Sequence, residues 1–183
     1  MRTILTMTFR DAPPSCMKKR AMYALFVPFL WLLPMTAWSE PIDIKALMSP
    51  KEQIYVDLPT PQKHFVLFVR REGKAKGTGI LNGADLTEYG MHDIRPGLDG
   101  SPRGYVVAKL PSGDQAVIQW EVQAIFVPGP DGKPKLLDNG VWRFIGGTGG
   151  LEGIKGAGIM HIKTVSPTDR EFSFTGEVVL IKR

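Results

Sequence analysis

Few residues in this chain have the types and spacing needed for chemistry. Three histidines, His64, His92 and His161, are scattered without an H-x-H or H-x3-H pair. Zinc needs three or four converging ligands, so no metal site is expected. The nearest approach to one is His92-Asp93 with Asp99, in a stretch that reads as a solvated loop. Glu121 sits mid-strand between Gln119 and Gln123. On a barrel's inner face it would be a buried carboxylate fit for acid/base work; on the outer face it is an ordinary surface acid. The face opposite, with Ile118, Trp120, Val122 and Phe126, looks more like core. Arg143 alternates with Trp142 and Phe144 and is placed outside by the same argument. His161 shares a face with Ile159 and is the polar candidate nearest an apolar interior. Tyr105, Trp120 and Phe126 are candidates to line a ligand cavity, with plain core packing as the alternative.

The start of the chain looks removable. Met17-Lys18-Lys19-Arg20 is a positive n-region, 21–36 is nearly all apolar, and Ala37-Trp38-Ser39 places small residues at −3 and −1 of a cut before Glu40. Those are the three parts of a secretory signal. A spanning helix would want about 20 apolar residues, and Pro28 and Pro34 interrupt this shorter run, although an uncleaved anchor is the alternative. Residues 1–16 precede the n-region and fit an over-long start. The expected address is the periplasm or beyond.

Removing residues 1–39 changes the charge. The chain has 23 basic and 18 acidic residues, a net of +5; five basic residues (Arg2, Arg10, Lys18, Lys19, Arg20) and Asp11 lie before the cut. The remainder has 18 and 17, a net of +1, so the basic balance is no argument for nucleic acid. Cys16, the only cysteine, also precedes the cut. The mature part can have no disulfide and no thiolate nucleophile, and its core alone must hold it.

From Glu40 on, the pattern is β. Residues 40–63, broken by four prolines, read as a lead-in with a short strand at 54–57. The barrel domain is expected over 64–183. Strands are predicted at 64–70, 74–81, 103–110, 115–127, 141–145, 156–163 and 171–182, with 82–102 mainly loop. Residues 115–127 alternate strictly between apolar and polar, the period-two sign of a half-buried strand. Short strands separated by turns and almost no helical period predict an all-β, roughly eight-stranded antiparallel barrel. The pattern K-G-x-G-I-apolar occurs at 76–81 and again at 155–160, and suggests an internal echo.

The most distinctive segment is 142–158, WRFIGGTGGLEGIKGAG. It fails the P-loop pattern, because Lys155 is preceded by Ile154 and followed by Gly156, and it fails G-x-G-x-x-G, because Glu152 stands where a glycine is needed. No helix follows to bind a phosphate, so neither nucleotide nor other cofactor is expected. Gly146, Gly147, Thr148, Gly149, Gly153 and Gly156 read as structural turn residues.

The run Gly146-Gly147-Thr148-Gly149, then Leu151, then Gly153-Ile154-Lys155-Gly156 resembles the allene oxide cyclase and dirigent-like barrel superfamily, which usually has Phe at the place of Leu151. The resemblance implies an eight-stranded antiparallel barrel with an apolar cavity, often in a dimer or trimer. Members include cyclases acting on fatty-acid epoxides and dirigent proteins that steer phenoxy-radical coupling. The cyclase pattern includes a cavity cysteine that the mature chain lacks, so the reaction is not carried over. Three functions stay open: an exported barrel binding a small apolar ligand, a cofactor-independent isomerase or cyclase, and a packed envelope or interaction protein with no small ligand. A homo-oligomer is compatible with each.

Overall fold

The computed structural model describes residues 39–129, 131–132 and 134–181. The expected signal, residues 1–39, lies outside the described residues except for Ser39. Ten strands follow in order: β1 (Glu40–Asp57), β2 (Phe65–Lys74), β3 (Lys76–Thr78), β4 (Asp85–Arg95), β5 (Asp99–Gly100), β6 (Arg103–Lys109), β7 (Gln115–Pro128), β8 (Pro134–Gly147), β9 (Ile154–Thr164) and β10 (Arg170–Leu180). A 3-10 turn, Gly149–Leu151, joins β8 to β9.

Eight of these strands close an antiparallel barrel in the order β1-β2-β4-β6-β7-β8-β9-β10, with β10 returning to β1. β3 lies along β1, and β5 bridges β4 and β7 at one end. The fold is thus the all-β, eight-stranded barrel that the alternating pattern predicts.

Two segments depart from the sequence reading. The lead-in assigned to 40–63 contains β1, which is essential to closure. Its Ile42, Ile44, Ala46 and Met48 alternate inward in strict period two. The prolines mask that pattern without breaking it: Pro41 stands at the strand's second position, and Pro50 stands where the register with β2 shifts. Proline is tolerated at strand starts and bulges. The second departure is 82–102, read mainly as loop, which contains β4. Its inward positions are Leu86, Glu88, Gly90 and His92, and three of the four lack the apolar side chain that signals a core face.

One inner path from β2 round to β1 explains much of the packing. Val69, Gly90, Gly104, Trp120, Trp142, Gly158, Gly176 and Ile42 are successive cross-strand partners around the barrel. Two tryptophans side by side are flanked by a glycine pair on each hand, so the bulk of one arc fills the space left by the others. Trp142 meets Phe144 and Phe174 edge-on at 5.3 and 6.3 Å, and Trp120 meets Phe172 at 5.8 Å. The Trp142 indole N–H donates to Thr175 O at 3.1 Å.

The glycine-rich segment closes one end. Gly149 (φ 57°) and Gly153 (φ 78°) take left-handed conformations on either side of Leu151, which points into the core. Thr148 N donates to Gln115 O (2.8 Å), and Gln115 N donates to Thr148 Oγ1 (3.0 Å), which ties the turn to β7. Gly147 and Gly156 give close approach instead: a Cβ on either would overlap a carbonyl oxygen, of Leu151 and of Glu177 respectively. Gly146 has open space around it. The echo between 76–81 and 155–160 is not structural. Gly77 and Gly79 have positive φ in a turn-forming stretch, whereas Gly156 and Gly158 are regular strand residues of β9.

Candidate functional site: an outer groove and a buried ion cluster

A concavity of about 980 Å³ lies on the outer wall across β1, β2, β4, β6, β7, β8 and the edge of β9. Two registered rows of outward side chains build it. One runs Arg70, Tyr89, Tyr105, Gln119, Arg143, Ala157; the other runs Ile54, Phe68, Met91, Arg103, Glu121, Val141. Behind them, on the inner face, lie Gly90 and Gly104. These paired glycines leave neighbouring strands without an inward side chain at that level, which lets the wall coil tightly there and suits a concave outer surface.

The groove floor is aromatic and aliphatic yet faces solvent: Phe68, Tyr89 and Tyr105 are 45%, 53% and 44% exposed. Its charges are unevenly matched. Arg70 is held between Glu72 and Glu52, with Nη2 donating to Glu52 Oε1 at 2.9 Å. That hydrogen bond and the Arg70 charge hold the Glu52 carboxyl below its ordinary range, and Glu52 in turn raises the guanidinium. Arg143 is different. Its Nε and Nη2 donate to Gln119 Oε1 (2.9 and 2.6 Å), which fixes the guanidinium without neutralising it. Arg103 stands opposite Glu121 in the β6–β7 register.

A second polar group lies inside the barrel. Arg71 (β2), Glu88 and His92 (both β4) are buried. Arg71 Nη1 donates to Glu88 Oε2 at 2.9 Å. His92 Nε2 lies 3.0 Å from Arg71 Nη1 and 3.1 Å from Glu88 Oε1. One ring nitrogen therefore faces a donor and an acceptor together. Protonated there, it donates to Glu88; unprotonated, it accepts from Arg71; it cannot do both. Arg71 Nε and the indole N–H of Trp120 are also buried without an acceptor among the described residues. Trp120 packs against the His92 ring at 5.8 Å. Arg170 is tied at the nearby barrel end to Ser166 O and Asp169 O. Burial first, and then the Arg71 charge, lower its pKa.

The sequence-based candidates fall as follows. Trp120 points into the core while its strand backs the groove. Tyr105 is on the outer wall and lines the groove. Phe126 is half-buried towards the end of β7 and does not line it. Glu121 faces outward and lines the groove. His161 is corrected: it lies on the outer face with the exposed Ile159, and Nδ1 sits 3.1 Å from Asp138 Oδ1. Asp138 also accepts from Ile162 N at 2.6 Å, where the β8–β9 ladder ends. The reading of His92 as a solvated loop residue is likewise corrected, since it is buried on β4. Asp93, the next residue, points the other way and contacts His64 Nε2 at 2.6 Å. Successive strand residues face opposite sides, so His92 and Asp93 cannot share a metal. Among the described residues no cluster of three or more His, Cys, Asp or Glu could hold one.

Arg71 and Glu88 went unread in the sequence. The signal was Leu86-x-Glu88-x-Gly90-x-His92, a period-two series whose inner members are mostly polar.

No protein-family model matches the chain, and no curated protein matches it. Among solved structures it is similar to a protein of unknown function from Clostridium acetobutylicum ATCC 824, at 12% identity, with 78% of this chain and 99% of that chain covered and a TM-score of 0.48. It is also similar to the conserved protein of unknown function RPA1785 from Rhodopseudomonas palustris, at 16% identity, 79% and 99% coverage and a TM-score of 0.45.

Proposed function

We propose that this protein is a binding barrel for a small, flat, apolar molecule carrying an acidic group, held in the groove on the outer wall. The observation that carries the reading is the pairing of an exposed aromatic floor with Arg143, a guanidinium fixed by a neutral amide. Ligand sites commonly enclose about 300–1,000 Å³ with a mostly apolar lining and a few placed polar groups. Tyrosine faces supply rigid apolar area, and an arginine fork suits a carboxylate. The apolar ligand expected from the sequence is kept in this reading, but its seat moves from the barrel interior to the outer wall. The interior arc is occupied by Trp120, Trp142, Phe144, Phe172 and Phe174.

The test is calorimetric titration and thermal shift with medium-chain fatty acids and phenolic acids. At least one acid should bind. Tyr105→Ala should weaken it about tenfold or more while leaving the fold intact, because the side chain is half exposed. Arg143→Gln should weaken the acid about tenfold and leave its methyl ester unaffected. A panel with no binding, or an acid indifferent to both changes, overturns the reading.

We also propose that the protein is exported. In its support stand the positive run Lys18-Lys19-Arg20, the apolar stretch 21–36 and the small residues Ala37 and Ser39 before Glu40. N-terminal sequencing of the native protein should start within a few residues of Glu40. A mature protein that retains Met17 to Trp38 would sink this reading.

A further inference from the structure

The two halves of β1 have different surroundings. Residues 40–48 pair with β10, and 43–45 pair with β3 as well. β10 begins at Arg170, opposite Met48. From Glu52 to Asp57, β1 is laddered to β2 on one side, with Lys51 the extra residue at the register shift before it, and no described strand lies on the other side. All seven residues are exposed, with Ile54, Tyr55 and Val56 at 66%, 48% and 40%. This is a bare edge with three consecutive large apolar residues. Soluble proteins usually cover, shorten or charge such an edge, because its free N–H and C=O groups invite another strand.

We propose that residues 51–57 pair antiparallel with the same segment of a second copy, about a twofold axis through Ile54. The sequence Lys51-Glu52-Gln53-Ile54-Tyr55-Val56-Asp57 is self-complementary in that register. Lys51 faces the second copy's Asp57, Gln53 faces Tyr55, Glu52 faces Val56, and Ile54 faces itself. Antiparallel partners share a face of the sheet, so the Gln–Tyr pairs lie on one side, and a Lys–Asp pair closes each end of the shared ladder. Ile54 meets its counterpart on the other side.

Neighbouring registers lose this match. Centring on Gln53 sets Lys51 against Tyr55 and brings in Pro50. Centring on Tyr55 sets Asp57 against Gln53 and Lys51 against Pro59. Proline cannot donate to a ladder, so Pro50 and Pro59 bracket the usable edge.

The edge is also ordered in advance. Tyr55 stacks on Phe65 with ring centroids 4.7 Å apart. Desolvation and then the Asp57 carboxylate raise the pKa of its hydroxyl, as expected where both lie on one face. Neither Lys51 nor Asp57 makes an ion pair among the described residues. Asp57 meets the neutral Tyr55 hydroxyl, so its charge has no opposite among the described residues.

The test is analytical ultracentrifugation of the protein as its producing cells deliver it. A reversible dimer should appear. A seven-residue edge belongs with small, weak interfaces, so a chain that stays monomeric at about 100 µM overturns the proposal. Lys51→Asp and Asp57→Lys should each weaken the dimer about tenfold, because each places like charges opposite one another at two symmetric positions. The double variant should return to within about threefold of the original. Far-UV circular dichroism should stay unchanged throughout, since these side chains are exposed. A dimer indifferent to both reversals overturns the register, as does a double variant that stays weak. A stable complex with a different protein at this edge, in place of self-association, overturns the choice of partner.

Discussion

Arg71→Met should lower stability by about 3–5 kcal/mol, the usual cost of removing one member of a buried charge pair. For a domain of this size, that is roughly 10 °C in thermal midpoint. The reason is local. Glu88 is wholly buried and takes a direct hydrogen bond from Arg71 Nη1. Without the guanidinium the carboxylate keeps, among the described residues, the His92 contact alone. Arg170 cannot readily replace Arg71, because it is tethered to Ser166 O and Asp169 O. The double variant Arg71→Met, Glu88→Leu should recover most of the loss, since apolar side chains of similar volume often replace a buried ion pair at little cost. Thermal unfolding followed by circular dichroism decides it. A single variant within about 1 kcal/mol of the parent would show that the buried charges are not strongly coupled.

Gly158→Ala is the second large effect. A Cβ there would overlap Thr175 O and lie 2.7 Å from Gly176 Cα. Both neighbours are backbone of β10, and Thr175 O already accepts from the Trp142 indole. Relief requires β9 and β10 to separate where they are fully laddered. Overpacking of a tight site costs roughly 1–3 kcal/mol and occasionally more; this rigid backbone should place Gly158→Ala at about 3 kcal/mol. Gly146→Ala is the control: nothing stands within 4 Å of its added Cβ and its φ is not positive. It should stay within about 0.5 kcal/mol of the parent. Urea midpoints of the two variants should therefore differ clearly, and equal midpoints would refute the role given to the glycine pair.

The contrast between β7 and its neighbours shows how much of the molecule the sequence carries. β7 was legible because its inner and outer faces differ: Ala116, Ile118, Trp120 and Val122 are buried, whereas Gln119, Glu121 and Gln123 are not. The antiparallel barrel follows from that kind of alternation, repeated between turns. β6 and β9 were harder because both faces carry apolar residues. Tyr105 alternates with Val106, and Ile159 with Met160, so the pattern cannot say which side is core. Choosing Ile159 as inward put His161 on the wrong face. That ambiguity has a cause, since the outer wall at Tyr105 is itself apolar where the groove runs.

The ion cluster was illegible for the opposite reason. Its three members lie on the core face, where charged side chains are rare. Arg71 follows the apolar run of 65–69 and looks like the polar end of a strand. Only the closed barrel, which sets β2 beside β4 in register, pairs Arg71 with Glu88.

Closure by β1 and β10 has a temporal consequence. Glu40 pairs with Val178, so the seam joins the two ends of the described chain. No intermediate length can complete the barrel, and each earlier piece exposes unpaired strands. Such long-range pairing is slow to form, roughly milliseconds to seconds in all-β domains. A nascent chain still missing its last strand stays unable to lock.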